Sequence, residues 1–251
     1  MHSLFAFHTQ LATGPVTYSN LAPVADPITT VVGNLMYVTN FVNLIGGYAL
    51  GTGASKSKIE TPSILNLAPF SVDPVDAAST PSSPTPIKLQ PGDPIKLVQD
   101  EALQFFGSNS STAGPQDEYG VVILSDGALA PVNGNIVTAR ATLTTGSTAN
   151  VWVNAALSFE TVLPQGSYDV VGMRAEGAHT YFARLVFQGN TLARPGVICQ
   201  ASDAKVDIPE FRRGAMGKWG TFNAFTPPSV DTFGDGTSET LNVILDLIKT
   251  P

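Results

Sequence analysis

Glycine and proline punctuate this chain so often that long helices are excluded over most of its length. The 251 residues include 23 glycines and 19 prolines, and few stretches between them show the 3.6-residue apolar spacing of an amphipathic helix. The short apolar runs are instead rich in β-branched and aromatic residues and are bounded by Gly, Pro, Asn or Asp. The sequence therefore predicts an all-β protein.

The clearest strand prediction comes from residues 135–145, where apolar side chains from Val137 to Leu143 occupy every second position. The end of the chain alternates in the same way from Leu241 to Leu247, which favours a final strand over a short helix. The mixed pattern of 97–106 fits either a helix or a strand. Further strands are predicted at 30–38, 41–49, 63–70, 86–89, 94–99, 119–125, 150–153, 156–161, 167–175, 180–188 and 218–223.

Three segments are predicted to be loops or turns. Residues 71–86 contain four prolines and many small residues, which is typical of a long exposed loop. Residues 107–116 form a second polar insertion that includes a glycosylation sequon at Asn109, whose use the sequence leaves open. The glycine-rich stretch 46–58 lacks the phosphate-loop pattern and indicates a flexible turn.

Length and composition constrain the organisation of the chain. A chain of 251 residues accommodates one large β-domain or two sandwiches of about 125 residues each. Hydrophobic residues make up 43% and charged residues only 13%, so the surface must be covered largely by uncharged polar side chains. Surfaces of this kind suit a protein that packs against neighbouring molecules.

The charge distribution argues against sequence-specific nucleic-acid binding. The net charge is −7, whereas nucleic-acid-binding surfaces carry basic patches. The one local exception is the group Arg212, Arg213 and Lys218 beside Trp219. These side chains either contact a phosphate or, as we prefer, form salt bridges at a loop or interface.

The longest uncharged stretch, residues 27–55, invites a transmembrane interpretation. Its Asn34, Asn40 and Asn43 would be costly in a lipid-facing helix, whereas β-branched and aromatic residues with intervening Asn and Gly suit buried strands. No transmembrane span is therefore predicted. The amino terminus lacks a basic start and a continuous apolar stretch, so it is interpreted as mature chain rather than a secretory signal.

Candidate catalytic residues are few. The three histidines include His179, which precedes a predicted strand and is assigned to a loop or strand edge. No G-x-S-x-G motif is present, and Cys199, flanked by apolar residues, is interpreted as a small buried hydrophobe. The sequence predicts neither an enzyme nor a cofactor.

One acidic segment has the composition of a calcium loop. Asp231, Asp235 and Glu239 recur every four residues around two glycines, but this spacing does not match the EF-hand template. A solvated acidic loop is the preferred interpretation, with an oxygen-lined calcium site between loops as the alternative. No metal site is predicted.

The order of segments from residue 127 to 251 resembles the carboxy-terminal half of double jelly-roll major capsid proteins of icosahedral viruses that infect microbes. The resemblance is carried by GALAPVNGNIVTARATL, LPQGSYDVVGMRA, YFARLVFQGNTLARPGV, IPEFRRGAMGKWGTF and TPPSVD. The first half is less similar, through ETPSILNLAPFSVDP, PIKLQPGDPIKLV and EYGVVILSD.

This resemblance implies two tandem antiparallel jelly-roll sandwiches, at 1–126 and 127–251, with a single jelly roll carrying large insertions as the alternative. It implies a structural virion protein whose homotrimers form pseudo-hexagonal capsomers that tile a shell. The expected partners are the chain itself, neighbouring capsomers, and minor capsid or vertex proteins. The expected location is the virion, after assembly in the host cytoplasm.

The segment 208–222 concentrates the residue types that dominate protein interfaces. Its candidates for a subunit interface are Phe211, Arg212, Arg213, Trp219 and Phe222, and the alternative is a loop packed over the core. Two other functions remain open. A lectin-like sandwich would stack sugars on Trp152 or Trp219, and a β-scaffold hydrolase would use a carboxylate pair or His179.

Overall fold

The computed structural model is built almost entirely from antiparallel β-strands, which confirms the all-β prediction. It describes residues 1–12, 14–65, 69–82, 85–110, 115–189, 192–202, 204 and 206–250. The chain divides into two units. We call Leu4–Ala128 the N-terminal unit, and Met1–Ser3 together with Leu129–Pro251 the C-terminal unit. The sequence had suggested domains at 1–126 and 127–251.

The strands of the first half form one extended sheet. They are β1 (His2–Leu11), β2 (Val16–Pro23), β3 (Thr30–Val32), β4 (Leu35–Tyr37), β5 (Asn43–Gly51), β6 (Ala54–Glu60), β7 (Phe70–Ser71), β8 (Lys88–Leu89), β9 (Ile95–Lys96), β10 (Ala102–Asn109) and β11 (Gln116–Ser125). One row has the order β1-β11-β5-β8, with β9 also on β5, and a second has the order β2-β10-β6-β7. Pairing of β1 with β2 joins the rows, and the β3-β4 hairpin adds to β10.

Over its described residues, the C-terminal unit contains nine further strands in two sheets. They are β12 (Ile136–Thr144), β13 (Val153–Ala156), β14 (Ser158–Phe159), β15 (Ser167–Glu176), β16 (Thr180–Val186), β17 (Gly196–Ile198), β18 (Gly220–Asn223), β19 (Ser229–Gly234) and β20 (Thr240–Thr250). One sheet has the order β14-β12-β20-β15-β18 and the other β13-β19-β16-β17.

The two units repeat one strand order. With the short β14 set aside, the strands of the C-terminal unit are counted from β12 as the first to β20 as the last. In one sheet the first strand neighbours the last, the last neighbours the third, and the third neighbours the sixth. The second, seventh, fourth and fifth form the other sheet. The N-terminal unit repeats both rows when β3 and β4 are set aside and β8 and β9 are taken as one interrupted strand. Equivalent strands such as β5 and β15 begin about half the chain length apart.

Strand β20 supplies the core of its sheet as its alternation predicted. Leu241, Val243, Leu245 and Leu247 are all buried, and the final strand is confirmed. In β12, which pairs with β20 along its whole length, the alternating positions are buried only near the carboxyl end. Val137 remains 47% exposed, so here the prediction of a continuous buried face is wrong.

In the first half of the chain, one strand prediction is wrong and one ambiguous segment is resolved. The strand predicted at 63–70 is wrong, because the chain forms a one-turn helix, α1 (Pro62–Leu65), and resumes as a strand only at β7. Proline fits the first turn of a helix because its missing N–H has no partner there. Residues 66–68 lie outside the described part. The ambiguous segment 97–106 becomes a strand from Ala102 onward.

Several strands carry no alternation that the sequence analysis recognised. They include the amino-terminal β1, the lysine-containing β6, which overlaps the predicted glycine-rich turn, and β19, which overlaps the predicted acidic loop. In β6 the lysines are held at the surface while Ser57 and Ile59 are buried. Pairing with β10 therefore fixes β6 as a strand, against its low intrinsic β-propensity.

The proline-rich segment 71–86 is not a wholly exposed loop as predicted. Asp76 within it is only 4% exposed, and its carboxylate accepts hydrogen bonds from the Tyr48 hydroxyl at 2.8 Å and the Ser82 backbone N–H at 2.7 Å. Val72 is also buried. A buried acceptor with two donors fixes this segment against β5.

The uncharged stretch 27–55 contains β3, β4 and β5, in agreement with its prediction as strands and turns. Across the described ranges, no helix has the length and apolar character needed to cross a membrane.

Candidate interaction surface

The three aromatic side chains proposed for a subunit interface lie inside the C-terminal unit. Phe211, Trp219 and Phe222 are 1%, 0% and 6% exposed. The Trp219 ring stands edge-on to His2 at a centroid distance of 4.6 Å, and Phe222 stacks on Tyr168 at 5.7 Å. In the single chain these side chains therefore fit the alternative interpretation, in which the segment 208–222 is a loop packed over the core. Almost none of their surface is accessible to a partner.

Arg212 anchors this loop through an ion pair. Its Nε donates to Asp246 Oδ2 at 2.8 Å and its Nη2 to Oδ1 at 3.0 Å, while Nη1 reaches Asp207 at 2.8 Å. Asp246 is fully buried and also accepts the Arg213 backbone N–H at 2.7 Å. A buried carboxylate held by a two-point guanidinium contact is a structural pair.

The electrostatics of Asp246 follow from these donors. Burial alone would raise its pKa, but the hydrogen bonds from Arg212 and from the Arg213 backbone outweigh it and lower the pKa below the ordinary value. The same pair raises the pKa of Arg212. Close approach of the loop depends on Gly172, because a Cβ there would lie 2.7 Å from Asp246 Oδ2 and 2.9 Å from the Arg213 nitrogen.

Most of the basic residues considered above for phosphate binding are paired with carboxylates. Besides Arg212, Lys218 lies 2.8 Å from Asp169. Arg213 is exposed and adopts a left-handed backbone with φ of 50°. Two of the three cations are therefore engaged in salt bridges, as the preferred interpretation held.

The acidic segment that raised the calcium question spreads its carboxylates among separate partners. Glu239 accepts backbone N–H groups of residues 178–180 at 2.8 to 2.9 Å. Asp235 binds His179 Nδ1 at 2.8 Å, and its pKa is lowered because that bond and the Thr237 contacts outweigh burial. Asp231 pairs with the buried Arg184 at 3.0 Å. Among described residues, no group of three or more His, Cys, Asp or Glu side chains could hold a metal.

The remaining candidates are buried, except for Trp152, which is half-buried. The Arg184 guanidinium lies 3.8 Å from the centre of the Trp152 ring, which packs against Phe233 as well. Cys199 is fully buried, and burial raises its pKa well above the ordinary value, so it matches the predicted buried hydrophobe. Asn109, the sequon asparagine, is 2% exposed within β10.

A cleft that sequence analysis missed lies beside β12 in the C-terminal unit. It encloses about 630 Å³ and is bordered by the first half of β12 and the loop 160–164. Val162 at its rim is 91% exposed and Val137 is 47% exposed. The sequence signal available for this cleft was the apolar residue Val162 in the loop, but a single apolar loop residue does not predict a binding surface.

The cleft carries charge at its rim from Arg140, Glu160 and Lys249. No ion pair of these three side chains occurs in the described part of the chain. Apolar walls with a few polar groups at the edge are typical of a surface that binds another molecule.

No protein-family model, no curated protein and no solved structure matches this chain.

Proposed function

We propose that this chain is a structural virion protein, the major capsid subunit of an icosahedral virus with a microbial host, and not an enzyme. Its partners are further copies of itself, first in a homotrimer and then in neighbouring capsomers, with minor capsid or vertex proteins as additional contacts. It assembles in the host cytoplasm and resides in the virion.

The observation that carries the proposal is the strand order repeated in the two units. Sheets ordered first-last-third-sixth and second-seventh-fourth-fifth correspond to the eight-stranded jelly roll, a double-sheet arrangement of two Greek keys used by viral capsid domains. The repetition of this strand order in both halves supports two tandem jelly rolls over a single one with insertions. Because a fold alone does not establish a function, the proposal also needs surfaces suited to assembly.

Surface composition supplies this second support. Only 13% of the residues are charged, and several valines remain exposed on strands and loops, among them Val32 and Val162. Low charge and exposed apolar groups are liabilities for an isolated protein, whereas a coat subunit covers them with neighbouring copies.

Mass photometry and analytical ultracentrifugation over a wide concentration and salt range, together with electron microscopy, test the proposal. We expect trimers, and shells or pseudo-hexagonal arrays under assembly conditions. A chain that stays monomeric at high concentration in every salt tested contradicts the capsid function. Monomers that also bind glycans would instead establish the lectin alternative, and hydrolytic activity lost on substitution of His179 would establish the enzyme.

A further inference from the structure

Strand β12 has a free edge beside the cleft. On one side it pairs with β20 from Ile136 to Thr144, whereas on the other it pairs with β14 only at Ala141 and Thr142. One more hydrogen bond runs from the Glu160 N–H to the Arg140 carbonyl at 3.0 Å. Within the described residues, 136–139 have no strand partner on this side.

The orientation of the backbone makes this edge able to accept a strand. Arg140 directs its carbonyl to the free side, and backbone groups alternate along a strand, so Thr138 presents its N–H and C=O to the same side. The cleft lies next to them, with apolar wall residues that include Val137, Ala139, Val162, Leu163 and Pro164. Main-chain donors beside apolar pockets are the elements of strand addition.

The N-terminal unit presents a second unpaired edge. Among the residues that the structure describes, strand β3 pairs with β4 alone and ends its sheet. All three of its residues are exposed, including Val31 at 40% and Val32 at 59%. It lies within the stretch 27–55, which has no charged residue. Natural proteins protect edge strands with charges, prolines or bulges, and β3 has none of these within its three residues.

The two edges are similar in length and chemistry. Four unpaired residues of β12 extend about 13 Å and the three of β3 about 10 Å. Both expose valines, and the uncharged β3 places no like charge against the Arg140, Glu160 and Lys249 rim. We infer that the free edge of β12 and its cleft receive the β3 edge of a second copy of this chain.

This contact joins different surfaces of two copies, and such a contact forms a closed trimer when the rotation between neighbouring copies is one third of a turn. The inference rests on the proposed self-assembly and identifies the surfaces that would carry it. Burial of the exposed valines would stabilise the contact by removing apolar area from water, and new main-chain hydrogen bonds would set its register.

Four single substitutions test the inference. Val32→Asp places a charge on β3, and Val162→Asp places one on the cleft rim. Val98→Asp and Val206→Asp are matched controls, because these valines are 67% and 56% exposed and lie outside both edges. Circular dichroism and thermal melting verify that each variant is folded, which we expect because all four sites are at the surface.

We expect each edge variant to raise the protein concentration needed for half-maximal trimer formation by about tenfold or more, since a buried unpaired charge is costly. The controls should assemble as the wild type does. The double variant Val32→Asp with Val162→Lys should assemble better than Val32→Asp alone, because the Asp of one copy would face the Lys of the next.

The outcomes separate the inference from the proposed function. A wild-type chain that never assembles refutes the capsid function itself. If the wild type forms trimers but either edge variant assembles equally well, the inferred contact is wrong while the capsid function stands. A loss in Val32→Asp alone would indicate β3-to-β3 pairing and would also overturn the inference. A double variant that assembles no better than Val32→Asp alone would overturn it as well.

Discussion

Glu118 is a buried carboxyl group in the N-terminal unit, and its removal should change how stability depends on pH. It lies on β11 and is 3% exposed. Glycines make room for it, because a Cβ at Gly51 would lie 2.8 Å from its Cγ and one at Gly107 would lie 2.1 Å from its Oε2. Its Oε1 has no hydrogen-bond partner among described residues.

Burial raises the pKa of Glu118 from the ordinary value of 4.5 to about 7. The folded unit therefore holds a proton that the unfolded chain releases above pH 4.5, and stability falls as pH rises from about 4.5 to 7. The difference between the two pKa values corresponds to about 3 kcal/mol. Above pH 7 both states are ionised and the loss levels off.

Glu118→Gln replaces the acid with an uncharged side chain of the same shape. We expect the variant to match the wild type at about pH 4 and to exceed its free energy of unfolding by up to about 3 kcal/mol at pH 8. Amide hydrogen exchange along β11, compared between the two proteins at the same pH, measures this because intrinsic exchange rates cancel.

Tryptophan fluorescence provides the internal control. Both tryptophans, Trp152 and Trp219, belong to the C-terminal unit, so their emission follows the unfolding of that unit while hydrogen exchange along β11 follows the N-terminal unit. Equal protection of β11 in wild type and variant at pH 8 would refute the argument that Glu118 destabilises the folded state when ionised.

Two further predictions concern the ion pair and the fixed loop. Asp246→Asn should lower the free energy of unfolding by about 3 kcal/mol, because Arg212 loses its buried partner; urea unfolding followed by tryptophan fluorescence measures it. Because the pKa of Asp246 is lowered in the folded state, its contribution to the stability of the wild type is present above about pH 4 and is lost as pH falls below that value. An equally steep loss of stability in acid in the Asp246→Asn variant would contradict this. Tyr48→Phe should cost about 1 kcal/mol by removing a donor to Asp76 and should speed proteolysis within 71–86. Tyr18→Phe, a change at a 40% exposed tyrosine, is its control, and equal cleavage rates in the two variants would show that the hydrogen bond does not hold the loop.

Alternation predicts a strand well where one face meets the core and the other meets solvent. Leu241 to Leu247 satisfies this condition, and β20 was predicted correctly. Strand β1 does not, because six consecutive residues from His2 to Phe7 are buried. A strand buried on both faces loses its period-two signal, so the amino terminus gave no pattern to recognise.

The repeated strand order was likewise invisible in the sequence. Equivalent strands such as β5 and β15 share position and pairing but little residue pattern, since β5 is glycine-rich and nearly all buried whereas β15 is mixed. Sheet order depends on pairing between residues far apart in the chain, and many residue patterns satisfy one pairing.

The candidate surface shows the same division. Sequence identified the aromatic and arginine residues of 208–222 by type, but type alone does not separate an interface from a core, since both select aromatic side chains. Only the fold shows that Trp219 is enclosed and that Arg212 is paired with Asp246. The free edge of β12 depends on which strands end beside it, a fact of pairing with no local sequence mark.

What the sequence determined by itself was the class: frequent glycine and proline, short β-branched runs and few charges exclude a helical protein, because these are local backbone and solvation preferences. What the tertiary structure alone decided was the strand order, the burial of Glu118 and Asp246, and the two exposed edges. These follow from contacts between distant residues, whose free energies arise only when the strands come together.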